Sequence, residues 1–190
     1  MAYEPRKAAQ LIAYLILKSG FKSLSVLKAV KLVYLVDRES IRRYGFPVLD
    51  EPRVSMPHGP VNSWTLNFIN GYVDDQGTGW ADFVTDRENH MISLARPDIV
   101  QEDFDELSEA DEQCADVVWA RFGAMDRWSL RDWTHETSNV PEWKNPGLGS
   151  AEISLLSILR AVGVENAEEF DATAQAFTAI DKAFEAARMN

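Results

Sequence analysis

The segment KLVYLVDRESIRRYGFPVLDEPRVSMPHGP, residues 31–60, decides how the fold of this chain is interpreted. It begins with apolar residues at helical spacing, which predict a helix. The helix turns charged at residues 37–39 and is expected to end at Gly45, because glycine readily adopts the left-handed conformation that closes a helix.

The second half of the same segment predicts a small β element. The run at residues 53–56 has the composition of a short strand. Residues 56–60 predict a rigid turn, because two prolines fix their φ angles and Gly59 relaxes the backbone. We therefore expect a helix locked to a β element by an aromatic-rich hinge.

The bulk composition favours a folded protein that binds proteins rather than nucleic acids. The 190 residues suit one domain, and a hydrophobic content of 46% with six tryptophans and nine phenylalanines can form a core. A net charge of −11 opposes binding to phosphate backbones and favours solubility and a basic partner.

The single cysteine excludes an intramolecular disulfide and fits a reducing cytoplasm. Cys114 falls on the apolar face of a predicted helix with acidic neighbours, so we interpret it as a buried structural thiol rather than a nucleophile. The apolar run at residues 11–17 lacks the pattern of a signal peptide and is too short to span a membrane.

The remaining patterns predict an α+β, predominantly α-helical fold, a compact helical bundle with a small antiparallel β-sheet of two or three strands. Residues 80–85 and 90–94 are expected to form a hairpin that residues 53–56 join. Capping patterns predict helix starts near Ser108 and Ser129. Helices are expected at about residues 5–19, from 23 or 25 to 44, from 62 or 63 to 73, and at 108–123, 129–136 and 154–162. We assign residues 1–163 to one domain.

Residues 164–190 differ in character. Phe170, Phe177 and Phe184 recur every seven residues in the clearest amphipathic helix of the chain, at about residues 167–188. This helix either packs on its own domain or docks on a second copy, giving a homodimer, or on a partner.

Two blocks of sequence resemble the Panacea domain, the SocA-like antitoxin family that includes phage-associated proteins. The first block comprises KLVYLVDRE at residues 31–39, RYG at 43–45 and MPHGPV at 56–61. The second comprises WSLRDWTH at residues 128–135 and PEW at 141–143. The two blocks occur in the same order as in the family, and together the matches cover roughly residues 8–162.

The resemblance implies an antitoxin that neutralises a cognate toxin by direct contact, encoded beside that toxin in a bacterial or phage genome. It implies protein–protein inhibition without turnover, and therefore no catalytic residues. From the residues themselves we expect a cytoplasmic protein with no metal, cofactor, nucleic-acid partner or membrane partner. The toxin's identity stays open, as does the choice between blocking the toxin and handing it to a protease.

We predict the partner-binding surface at the charged end of the central helix, at the proline-flanked turn and at the second block. A charge cluster beside exposed aromatic residues has the composition of an interface rim. The same charges could instead pair with one another at helical spacing. The predicted residues are Asp37, Arg38, Arg42, Tyr44, His58, His135 and Trp143.

Two other functions are kept as alternatives. His58 and His135, joined by Asp37 and Glu39, could form the site of a small metal-dependent hydrolase, although no His-Glu-x-x-His spacing is present. The first two helices could also form the helix-turn-helix of a DNA-binding regulator, which the acidic composition opposes.

Overall fold

Helices dominate the architecture of the computed structural model, which describes residues 3–85 and 87–188. A 3-10 turn lies at Gln101–Asp103. The helices of the described residues are α1 (Pro5–Lys18), α2 (Val26–Tyr44), α3 (Ser63–Ile69), α4 (Glu109–Phe122), α5 (Arg127–His135), α6 (Leu155–Ala161) and α7 (Ala167–Arg188). The strands are β1 (Ser23–Ser25), β2 (Arg53–Met56), β3 (Gly59–Asn62), β4 (Met91–Ser93) and β5 (Ala151–Ile153). The predicted α+β, predominantly helical class is confirmed.

The α2 helix is the centre of the fold. It packs against α1, α4, α5, α6 and β3, so its residues are buried on almost every side. Leu32, Val33, Tyr34 and Val36 are fully buried, as expected for the apolar run at residues 32–36 of a core helix. The rest of the molecule is arranged around this helix.

The strands form two small antiparallel sheets instead of one. The three-stranded sheet has the order β3-β2-β5, and β1 pairs with β4 in the second sheet. The predicted hairpin is reduced to a single bridge between Val84 and Leu94, and the prediction that residues 53–56 join it is wrong. The turn after β2 occupies only Pro57 and His58, which leaves residues 59–62 free to pair as β3.

Helix capping explains where α4 and α5 begin. Ser108 and Asp111 form the predicted capping box, with the Asp111 amide donating to Ser108 Oγ at 3.2 Å. The predicted cap of α5 is wrong by three residues, because the Asp126 carboxylate accepts the amides of Trp128 and Ser129. An aspartate satisfies two free amides of a first turn, so it displaces Ser129 as the cap.

Within the part of the chain that the structure describes, the α7 helix packs on the domain near its start. Phe170 is half-buried and packs edge-to-face on Phe46, with ring centroids 5.7 Å apart. It also covers Gly45, which has a φ of +79° and where a Cβ atom would collide with the Phe170 ring. Phe177 and Phe184 are 56% and 67% exposed, so the domain's own core covers only the first phenylalanine of the stripe.

Candidate partner-binding site

The carboxylate of Asp37 is fully buried and joins α2 to the segment that follows it. It accepts hydrogen bonds from the backbone amides of Val48 and Leu49 at 3.0 and 2.9 Å. It also accepts from Asn62 Nδ2 at 2.8 Å and lies 3.3 Å from Arg53 Nε. The predicted lock between helix and β element therefore exists, but a buried carboxylate makes it. Asp37 does not reach the surface, which corrects its placement among the partner-facing residues.

Glu51 extends this polar interior. Its carboxylate accepts from the Thr65 amide at 2.8 Å, from the Thr65 hydroxyl and from Asn62 Nδ2 at 3.2 Å. Burial raises the pKa of Glu51 to about 7. Asp37, Glu51, Arg53, Asn62 and Thr65 form what we call the buried polar junction.

The two blocks of the predicted site meet at Glu142. Its buried carboxylate accepts from Tyr34 Oη at 2.8 Å and from Arg38 Nε at 2.7 Å. Burial, followed by the charge of Glu142, raises the pKa of Tyr34 well above its ordinary value. Arg38 thus serves to join the second block to α2, and its side chain is only 16% exposed.

The outer end of α2 is exposed, as predicted. Glu39 pairs with Arg42 at 2.7 Å and with Arg43 at 2.6 Å, which confirms the pairing at helical spacing for Glu39. Tyr44 and Phe46 are exposed beside this cluster. Arg42 and Tyr44 are therefore available to a partner.

His58, His135 and Trp143 lie close to one another at the β2–β3 turn. His58 is exposed, whereas the His135 ring is half-buried and lies 4.6 Å from that of Trp143, centroid to centroid. Burial, then the charges of Lys31 and Arg131, lowers the pKa of His135. Trp143 is buried and donates through Nε1 to Met56 O at 3.2 Å, which confirms that it folds back onto the core and corrects its placement among the partner-facing residues.

The described residues form no metal site, because no three His, Cys, Asp or Glu side chains among them are grouped so that they could hold an ion. His135 Nε2 is buried and has no hydrogen-bond partner among these residues. Cys114 is buried, and burial raises its pKa to about 11, which confirms the interpretation as a structural thiol.

Sequence reasoning missed Lys31, a fully buried lysine in the middle of α2. Its ammonium nitrogen donates to Pro60 O at 2.8 Å, and burial lowers its pKa to about 7. Gly59 passes so close that a Cβ atom there would lie 2.9 Å from Lys31 Nζ and 2.8 Å from Thr134 Oγ1. A lysine inside a helix that is apolar all round was the signal that could have revealed it.

A groove of about 540 Å³ opens beside Lys31. The start of α2, the β2–β3 turn, α3, the segment before β4 and the start of α5 enclose it. Arg87, His90, Arg127 and Trp128 line it together with His58, and sequence reasoning assigned this role to none of them except His58. Segments so far apart in sequence carry no shared pattern, so the groove emerges only from the fold.

A comparison with known protein families matches the region that contains both blocks of the predicted site. The family model described as "Antitoxin SocA-like, Panacea domain" matches residues 30–144, which is more than half of the chain. The chain belongs to this family. The match spans most of α2, strands β2 and β3, α5 and Glu142, and so includes the buried polar junction and the contact between the two blocks.

No curated protein and no solved structure matches the chain. The Panacea family therefore supports an antitoxin role and a protein partner without indicating which toxin is bound. None of the helices in residues 3–85 and 87–188 is both long and apolar enough to cross a membrane.

Proposed function

We propose that this Panacea protein is the antitoxin of a toxin–antitoxin pair and that it neutralises its cognate toxin by direct protein–protein binding in the cytoplasm. The observation that carries the proposal is the family match over residues 30–144. The product of an adjacent gene is the partner that the proposal requires.

The architecture supports a binding role for the matched region. Buried hydrogen bonds from Tyr34 and Arg38 to Glu142 fix the two blocks relative to each other, so the surface above them is preorganised. Preorganised surfaces lose less conformational entropy on binding. Tyr44, Phe46 and Trp128 are exposed on this region, and exposed aromatic side chains beside arginines are typical of binding hot spots.

Co-expression tests the proposal directly. The toxin encoded beside this chain should arrest growth when expressed alone, and this chain should restore growth and co-elute with the toxin in size-exclusion chromatography. Growth arrest that persists, with no complex, would refute the proposed function. Measuring the toxin's half-life with and without this chain separates simple blocking from delivery to a protease.

Neutralisation by binding is stoichiometric, whereas neutralisation by a hydrolase is catalytic. Titrating purified toxin with this chain should abolish its activity at a fixed molar ratio that does not change with incubation time. Adding the chelator EDTA should leave neutralisation unchanged, because the hydrolase alternative requires a metal ion and the binding proposal does not. Substoichiometric, time-dependent loss of toxin activity that EDTA abolishes would favour the hydrolase.

A further inference from the structure

We infer that the groove beside Lys31 binds a short segment of the partner protein in which carboxylate side chains alternate with apolar ones. This inference deepens the proposed function and rests on it, since the partner is the toxin. We call the site the basic groove and define it by Lys31, His58, Arg87, Arg127 and Trp128.

The floor of the basic groove is apolar. Val26, Val30, Met56 and Leu66 line it between the start of α2 and the hairpin. A volume of about 540 Å³ accommodates a few side chains rather than a folded domain. Apolar side chains of a short peptide segment fit this floor.

Among the described residues that line the groove, every ionisable side chain is basic, with no aspartate or glutamate. They are Lys31, His58, Arg87, His90 and Arg127. This is unusual for a chain with 30 acidic residues against 19 lysines and arginines. The groove is therefore a basic site on an acidic protein, and it complements a negatively charged ligand.

The basic side chains of the groove are not neutralised by carboxylates within the described part of the chain. Arg127 stacks on Trp128, with its guanidinium carbon 5.0 Å from the ring centroid. Arg87 donates to Asn70 Oδ1 at 2.8 Å and contacts His90. Asp126, which neighbours Arg127, is engaged in capping α5. The guanidinium groups thus keep donors for an incoming carboxylate.

Lys31 also lines the groove, and among the described residues its amine makes one hydrogen bond, to Pro60 O. Burial lowers the pKa of this amine to about 7, so a carboxylate that enters the groove would favour its charged form, which has three donors. Because only glycine fits at residue 59, the turn leaves room for the amine at this position.

The occupant is a peptide segment rather than a nucleic acid or a membrane surface. The net charge of −11 repels an extended polyanion, whereas a short segment places its few carboxylates inside the groove. The same acidic surroundings disfavour docking of that segment anywhere else on the surface. The exposed Trp128 at the groove wall adds an aromatic surface for the apolar side chains of the segment.

Short synthetic peptides test the chemistry on the full chain. In the first series Leu or Phe alternates with Asp or Glu; in the second the acids are replaced by Asn or Gln, and in the third by Lys or Arg. Fluorescence anisotropy should show the acidic series binding about tenfold or more tightly than the other two, with a preference that weakens as salt is raised.

The variant Arg87→Glu/Arg127→Glu should abolish this preference. Arg121→Glu is the matched control, because Arg121 is also exposed and also stacks on aromatic rings, those of Phe122 and Trp133, but lies outside the groove. The control should bind the acidic peptides like the parent chain. Equal affinity for the acidic and neutral series would overturn the inference.

Measuring toxin binding to these variants separates the groove inference from the proposed function on which it rests. If the toxin binds and Arg87→Glu/Arg127→Glu weakens the complex about tenfold while Arg121→Glu does not, the groove is the docking site. If the double variant binds the toxin as tightly as the parent, the groove inference fails and the antitoxin function stands. If no toxin complex forms but acidic peptides still bind, the proposed function fails and the assigned groove chemistry is supported.

Discussion

The region matched by the family and the C-terminal helix distribute their side chains in opposite ways. Inside residues 30–144, Lys31, Asp37, Glu51 and Arg53 are buried. Along α7, Phe177 and Phe184 are exposed. The matched region thus uses charged groups to fix its own geometry, whereas α7 leaves apolar surface uncovered.

This contrast indicates different constraints on the two regions. A buried carboxylate is stabilised only when donors surround it, so the junction around Asp37 tolerates few changes. An exposed apolar stripe contributes little to the stability of the single chain and is free to serve an interaction. The predictions below test this contrast, from the largest expected effect to the smallest.

Replacing Asp37 with alanine should destabilise the protein by about 3–5 kcal/mol, because Arg53 and the Val48 and Leu49 amides lose their buried acceptor. Urea denaturation followed by tryptophan fluorescence measures this change. Glu39→Ala is the control, since its partners are the more exposed Arg42 and Arg43, and it should cost less than about 1 kcal/mol. Similar costs for both variants would remove the distinction between buried and surface charges.

Lys31 should make the stability of the protein depend on pH above neutrality. Burial lowers its pKa from 10.5 to about 7, so between these values the unfolded chain binds more protons than the folded one. The free energy of unfolding contributed by this group therefore rises with pH from about 7 to about 10 and falls as pH returns to 7.

The Lys31→Met variant should lose this rise, because methionine fills a similar volume without a titratable amine. Denaturation of the parent and the variant across this pH range gives the difference. Lys22→Met, at an exposed position, should follow the pH dependence of the parent. A Lys31→Met profile that rises as steeply as the parent profile would contradict the burial of a neutralised amine.

Much of the fold was predictable from sequence because it depends on local patterns. The apolar periodicity of α1, α2 and α7 and the Ser108–Asp111 cap identify their elements without tertiary information. The strand pairing was not predictable, because β1 with β4 and β2 with β5 join segments far apart in the chain. Three of these strands, β1, β4 and β5, are three residues long, which is too short for an alternating pattern to identify them.

The surface position of the candidate site residues was predicted correctly where they are exposed. The prediction was wrong for a charged side chain that is buried. Arg42, Tyr44 and His58 lie on the surface, as a reading of charged and aromatic side chains at a helix end and a turn suggests. Asp37 was assigned to the surface because of its charge. Asp37 is buried because its carboxylate accepts the backbone amides of residues 48 and 49. No sequence pattern shows where those amides lie.

Phe170 lies in the attached part of α7 and Phe177 in its exposed part, so substituting each one compares their contributions to stability. Phe170→Ala should destabilise the protein by about 1–3 kcal/mol, because it removes the ring that covers Gly45 and packs on Phe46. Phe177→Ala should change the free energy of unfolding by less than about 0.5 kcal/mol, as is usual for an exposed position. Thermal denaturation of both variants gives the comparison.

Protein concentration sharpens this comparison. If a second copy covers the exposed stripe, as the homodimer hypothesis requires, the unfolding midpoint of the parent should rise with concentration and that of Phe177→Ala should rise less. A midpoint that is constant for the parent would contradict the homodimer hypothesis.

The smallest expected effect concerns the surface where the two regions meet. Arg42 lies at the exposed end of α2, near Tyr44 and Phe46, and Phe46 contacts Phe170 of α7. Arg42→Glu should weaken toxin binding by less than about tenfold, mainly through a slower association rate, because a rim charge steers approach more than it holds the complex. Arg160→Glu is the matched control, since Arg160 also forms an exposed pair, with Glu168. Surface plasmon resonance at two salt concentrations separates the rates. Equal slowing by both variants would show that the total charge of the protein, and not the end of α2, governs the encounter, which would leave the basic groove as the specific contact of the matched region.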